Sequence, residues 1–250
     1  MDIAISNLAF DRIDLTKVLK ILNKYKIKKI EGVLSKIEDF IKLSYNDVFL
    51  YNEEVKKYGV TIPSFQSLFF QSGINSFDDN LCFLHLKKVI DFCSITNSRI
   101  LVLGSPTLRT KNSKRNLMKM LKTIDNYLSR KEMILCIEPN SKIFNGDYFH
   151  NLEEISFFIK HGKFKRIKTM IDTFNLLSEG FDPILEFEKY EGIIKHVHIS
   201  EENLEPIQNN EFHINFSKFL KKKETIVTYE IKKPDNFEET IHRFCQIYGG

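Results

Sequence analysis

Four segments of this chain each close on a residue that can hold a metal ion or move a proton. They are Met133-Ile134-Leu135-Cys136-Ile137-Glu138, Ile167-Lys168-Thr169-Met170-Ile171-Asp172, Ile193-Ile194-Lys195-His196-Val197-His198 and Thr225-Ile226-Val227-Thr228-Tyr229-Glu230. Each is a short, largely apolar run of the kind that makes a buried strand. In a parallel barrel the C-terminal strand ends converge on one face, where active sites sit. Glu138, Asp172, His198 and Glu230 can therefore meet around one divalent ion although they are far apart in sequence. Side chains alternate along a strand, so Cys136 shares a face with Glu138, Met170 with Asp172, His196 with His198, and Thr228 with Glu230. If the second member of each pair faces the barrel mouth, three carboxylates and one imidazole meet. That oxygen-rich set suits Mn²⁺ best, then Mg²⁺, with Co²⁺ or Zn²⁺ as alternatives. Three clustered carboxylates repel one another, and a bound cation relieves that cost. Taken singly, each residue has a plainer reading: a strand-end acid commonly caps a helix, and His196 and His198 could be satisfied core histidines. What sets the four apart is that consecutive strands end the same way.

The elements that must position these residues can be read from the pattern. Eight strand candidates lie at 2–6, 27–33, 58–66, 98–104, 133–138, 167–172, 193–199 and 225–231. Helical spacing of apolar residues appears over 14–22, 81–92, 116–128, 152–159, 216–220 and 237–247. Asn80, Ser113 and Asn151 are expected N-caps, and Gly162 an expected helix-ending glycine. Eight alternating units predict an α/β fold, a single (β/α)8 TIM barrel spanning 1–250. An open doubly wound sheet is the alternative, but neither G-x-G-x-x-G nor a P-loop sequence occurs. No Gly-, Pro- or Ser-rich linker divides the chain. Residues 201–211 read as a long polar loop after strand seven, over the active face.

Composition narrows the class. Hydrophobic residues make up 42%, enough for a full core, and 22 Phe with no Trp suggest compositional bias. A net charge of +4 is too small to argue for nucleic acid. The basic residues that follow strand four, Arg109 to Lys122, read as a solvated helix face, with Arg109 near enough to the strand end to reach an anionic substrate. Cys82, Cys93, Cys136 and Cys245 form no C-x-x-C pair, which excludes a zinc ribbon or a redox motif. The first residues lack a signal-peptide pattern, and no apolar run approaches the ~20 residues of a membrane helix. A cytoplasmic protein with free thiols and no membrane partner is the expectation.

Several strand ends carry a resemblance. Ala4-Ile5-Ser6-Asn7-Leu8-Ala9-Phe10, Ile30-Glu31-Gly32-Val33, Ser64-Phe65-Gln66-Ser67-Leu68 and Leu103-Gly104-Ser105-Pro106 resemble the first four strand ends of the xylose isomerase-like TIM barrels, the sugar phosphate isomerase/epimerase superfamily. Cys136-Ile137-Glu138-Pro139-Asn140, Ile171-Asp172-Thr173, His196-Val197-His198-Ile199-Ser200 and Tyr229-Glu230-Ile231 resemble its last four, which contain the family's Glu, Asp, His, Glu metal set. The resemblance implies a divalent metal, a small sugar or sugar derivative as substrate, and proton transfer beside a carbonyl, with Glu138 and Glu230 as the acid/base pair on opposite sides. Asp172 and His198 would be ligands only. A homodimer is common in the family, although no segment here marks an interface.

This sequence also departs from the ketohexose 3-epimerases of that family. Where they carry Glu, His and Arg against the sugar, it has Phe144, Asn175 and Leu204. Free fructose, tagatose or psicose is therefore not the expected substrate. Replacement contacts are expected from Asn140, Asn175, Arg109, Glu201, His213 and Gln66, while His196 is read either as a substrate contact or as a residue supporting the ligands from behind. The implied activity is isomerisation or epimerisation of a keto sugar. Its alternatives are dehydration of a keto-polyol by the same metal site, and a barrel that has lost catalysis and binds a ligand. Endonuclease chemistry is disfavoured, because the first four strand ends supply no histidine.

Overall fold

The computed structural model describes residues 1–77, 79–207 and 210–249. Eight parallel strands close into a barrel in chain order: β1 Asp2–Ser6, β2 Lys29–Gly32, β3 Thr61–Phe65, β4 Ile100–Leu103, β5 Ile134–Ile137, β6 Ile167–Asp172, β7 Ile194–Ile199 and β8 Ile226–Tyr229. β1 pairs with β8 through Asp2↔Ile226 to Ile5↔Tyr229, so the sheet has no edge. The helices are α1 Leu15–Lys24, α2 Tyr45–Lys56, α3 Asp79–Ile95, α4 Lys114–Lys131, α5 Leu152–Gly162, α6 Thr173–Ser178, α7 Pro183–Tyr190, α8 Asn210–Leu220 and α9 Phe237–Tyr248. All eight expected strands are present, and the chain is the predicted (β/α)8 barrel.

Strand alternation sorts the side chains. One set (Ile5, Leu101, Leu135, Ile171, Val227) is buried in the main core between sheet and helices. The other set points inward. Val102, Cys136 and Met170 form a separate apolar cluster with Ile100 and Ile134, which fills the barrel below its C-terminal mouth. Each fully buried Leu or Ile contributes on the order of 1.5–3 kcal/mol relative to exposure, so these two layers set the strand positions. Among the described residues no two cysteines form a disulfide. Among the described residues no helix is long and apolar enough to cross a membrane.

Three helices have no counterpart in the sequence reading. α2 is too weakly patterned to be found by apolar spacing, and is started by a reciprocal cap between Ser44 and Asp47. α6 starts on the Asp172 side chain, and α7 starts on Asp182 with Pro183 at its first position. The expected caps also differ in part. Asn151 caps α5 through Glu154 N, as expected. Asn80 lies inside α3. Ser113 precedes α4, but its hydroxyl donates to the carbonyls of Leu108 and Thr110 and does not cap. Gly162 is the last residue of α5, and Lys163 takes the left-handed turn at φ 55°. The glycine is needed because a Cβ there would enter the Phe164 ring. The 201–211 loop contains a short 3-10 turn at Glu202–Leu204 and gives way to α8 at Asn210; 208–209 lie outside the described residues.

Candidate metal centre and substrate cavity

The four strand-end residues meet. Glu138 and Glu230 directly follow β5 and β8, Asp172 ends β6, and His198 lies near the end of β7, paired in register with Asp172. One donor atom from each lies within 4.8 Å of the others. His198 Nδ1 is 3.2 Å from Glu230 Oε2, 3.3 Å from Glu138 Oε1 and 4.0 Å from Asp172 Oδ2. The imidazole is fully buried, while Glu138 and Glu230 keep 9% and 8% exposure toward a cavity.

Three of the four ligand candidates are held from outside the group. Asp172 Oδ1 accepts from Asn175 N at 2.7 Å, capping α6, and Oδ2 accepts from the Ser200 hydroxyl at 2.8 Å. Asn140 Nδ2 donates to Glu138 Oε2 at 3.0 Å. On the far side of His198, Nε2 lies 2.8 Å from Glu31 Oε2, and His196 Nε2 lies 2.8 Å from Glu31 Oε1. Both contacts to Glu31 become ion pairs when the imidazoles are protonated. In the sequence Glu31 stands out as part of the second strand end, Ile30-Glu31-Gly32-Val33, with no role attached to it. Its place under both histidines is set by the fold.

The group fits a divalent cation. His198 Nδ1 is buried, has no aligned hydrogen-bond partner among the described residues and faces three carboxylates. Burial, and then the charges of Glu138 and Glu230, push the Asp172 carboxyl up to about 8. Burial disfavours a charged His198, but Glu31 and Glu230 outweigh it and hold its pKa well above the ordinary imidazole value. Protons thus stand in for missing positive charge, which a metal would supply.

The cavity over the four residues has a volume of about 670 Å³. Gln66, Asn140, Asn175 and Glu201, four of the seven residues expected to touch a substrate, line it. The positions that depart from the resemblance, Phe144, Asn175 and Leu204, also line it. The other three, Arg109, His213 and His196, do not line it. Arg109 is buried, and its guanidinium donates to the carbonyls of Leu103, Gly104 and Phe149. It braces the loop after β4 and does not line the cavity. Burial lowers its pKa to about 10, so it remains charged. His213 is buried between the Tyr248 hydroxyl at 2.7 Å and Glu201 at 2.9 Å, where it orients Glu201 from behind. His196 lies one layer below His198, against Glu31 and Thr228, and does not line the cavity.

Gly104 is part of the same construction. A Cβ there would press on Glu138 Oε2. Its backbone is not in the left-handed region, so alanine fits the chain but not the carboxylate. We expect Gly104→Ala to leave the melting temperature unchanged or slightly raised while cutting turnover by about 10- to 100-fold, since small misplacements of a reacting group are costly. Unchanged turnover would show that the Glu138 carboxylate needs no fixed place.

A family model described as Xylose isomerase-like TIM barrel matches residues 42–245. No curated protein matches the chain. Among solved structures, a 3-keto-D-glucoside 4-epimerase from E. coli superposes with a TM-score of 0.76 at 10% identity, over 98% of this chain and 99% of that one. An L-ribulose 3-epimerase gives 0.77 at 14% identity, over 98% and 86%. A D-psicose 3-epimerase solved in the presence of D-fructose gives 0.76 at 12% identity, over all of both chains. At these identities the likeness speaks for the fold.

Proposed function

The chain belongs to the xylose isomerase-like TIM-barrel family, and from that premise we propose that it is a metal-dependent isomerase or epimerase of a keto sugar or sugar derivative. The observation that carries this reading is the pair Glu138 and Glu230, both open to the cavity and both within 3.3 Å of His198 Nδ1. Glu138, Asp172, His198 and Glu230 would hold the ion, for which Mn²⁺ is our first choice. When bound, it supplies Lewis acidity that polarises a substrate carbonyl.

The chain's own residues account for the proton movements. Glu138 and Glu230 leave strands separated by β6 and β7, so their carboxylates approach a substrate from different sides. The ionised one takes the proton on the carbon beside the carbonyl, which leaves a planar enediolate. The other, protonated, returns a proton to the opposite face and inverts that carbon. Return of a proton to the neighbouring carbon isomerises the sugar instead. Asn140 holds Glu138 by a hydrogen bond, and Ser200 and the α6 amide hold Asp172 in place. Gln66, Asn175 and Glu201 offer polar groups to the hydroxyls.

Protein reloaded with Mn²⁺ and incubated with a panel of ketoses in D₂O should place deuterium beside the carbonyl as a new epimer or isomer forms, and chelation should stop both. Absence of exchange from every ketose, with the ion bound, would remove this reading. Growth of enone absorbance in its place would mark dehydration.

A further inference from the structure

The cavity over the metal candidates has two chemically different parts. Its volume of about 670 Å³ falls in the range of sites for drug-sized ligands, roughly 300–1,000 Å³. The floor is acidic: Glu138, Asp172, Glu201 and Glu230 all line it. No Lys, Arg or His side chain lines it among the described residues. Arg109, the charged residue nearest in sequence to the loop after β4, is committed to three backbone carbonyls. A phosphate or diphosphate group entering here would meet carboxylates without a cationic side chain to offset them, and one divalent ion covers only part of that charge. The floor suits hydroxyl donors. Asn140 Oδ1 is buried with no hydrogen-bond partner among the described residues, because the amide nitrogen is already turned to Glu138.

The wall and mouth are apolar. Phe69, Phe70, Ile74, Phe144, Phe174 and Leu204 line them. Phe70 and Phe144 remain 54% and 38% exposed beside this opening. Phe144 and Phe174 meet edge-to-face, with ring centroids 6.3 Å apart and planes at 67°. Such a pair leaves aromatic surface free to take up a further ring or aliphatic group. A bare monosaccharide would fill the floor and leave this wall in water.

We infer that the substrate is an uncharged keto sugar bearing an apolar, ring-sized substituent, with its hydroxyls on the carboxylate and amide floor and the substituent against the Phe144–Phe174 wall. This rests on the keto-sugar reading above.

The test compares D-fructose with its 1-O-benzyl ether and its 1-phosphate, and the D-tagatose series likewise, by calorimetric titration of Mg²⁺-reloaded protein. In at least one series the benzyl ether should bind about tenfold or more tightly than the parent ketose, in line with one or two added aromatic contacts, and the phosphate should not bind detectably. Phe144→Ala and Phe174→Leu should each remove most of the benzyl preference, while Phe144→Trp should keep it. Thermal melts confirm that each variant is folded. Benzyl binding no tighter than the parent in both series, phosphate binding as tight as the parent, or no binding by any benzyl ether would overturn the inference. Deuterium uptake measured on the same mixtures separates the two readings. Benzyl preference without exchange supports this cavity assignment and counts against the isomerase, whereas exchange into a parent ketose without benzyl preference does the reverse.

Discussion

Glu138→Gln is expected to lower interconversion of the two sugar epimers by about 10²–10⁴-fold, the usual contribution of a positioned acid or base, and Glu230→Gln to do the same. The amide keeps the shape of the side chain and one oxygen able to face the ion, so the loss falls on proton transfer. Metal content, measured after reloading, distinguishes this from simple loss of the ion: turnover should stay low where occupancy has been restored. The stronger diagnostic is an asymmetry between the variants. If each glutamate serves one face of the substrate carbon, each variant should still exchange the α-proton of one epimer with solvent and lose exchange of the other, with the two epimers swapped between variants. Equal loss from both epimers in one variant, with no effect in the other, would reduce the pair to a single base. Stability of the chelated protein should change little. Glu138 is one of the charges that push Asp172 up to about 8, so replacing it relieves that repulsion, but it also removes a carboxylate 3.3 Å from His198 Nδ1.

The four residues of the candidate metal centre were legible in the sequence because each occupies the same place at the end of a strand that is otherwise apolar. That regularity survives any uncertainty in strand boundaries, since two-residue alternation fixes which side chains share a face. Cys136 and Met170 do lie under the site, and His196 bonds Thr228 in the layer beneath. What was not legible lies in sequence-distant contacts. Arg109 reads as a surface cation until its three carbonyl acceptors are seen. His213 lies within a helix whose buried face it shares, and only the fold shows that Tyr248 and Glu201 bracket it. The missed helices have local causes. α6 and α7 are short and begin on aspartate side chains, one of them the ligand candidate Asp172, so one residue serves both a cap and a site. Gly104 would have been found only by asking what a side chain there would displace.

Glu31→Gln is expected to weaken divalent-metal binding by about 10- to 100-fold, the usual effect of removing a carboxylate that orients a metal-ligating histidine, and to leave turnover at saturating metal much closer to wild type. Glu31 does not line the cavity. It acts through His198: a carboxylate 2.8 Å from Nε2 favours the proton on that nitrogen and leaves the Nδ1 lone pair facing Glu138, Asp172 and Glu230. Burial alone would raise the Glu31 pKa, yet His198 and His196 hold it well below the ordinary carboxylate range, so Glu31 is ionised at neutral pH. The sign of the pH effect follows. In chelated protein His198 has a raised pKa, so its charged form contributes stability that is fully present below the unfolded imidazole value of about 6.5 and is lost as pH rises through the folded one. Glu31, with its pKa depressed, contributes above the unfolded carboxylate range and loses its effect only in strong acid. The chelated variant should therefore be least stable relative to wild type near pH 5–6.5, by up to about 3–5 kcal/mol for a broken buried ion pair, with the gap closing in alkali. Metal binding must expel the His198 proton, so affinity should instead rise with pH in wild type. Denaturant titrations of chelated protein at several pH values, with metal titrations beside them, check both trends. If Glu31→Gln changes neither, the carboxylate under the two histidines has no part in presenting Nδ1. If it abolishes turnover at full metal occupancy, its role extends beyond positioning the ligand.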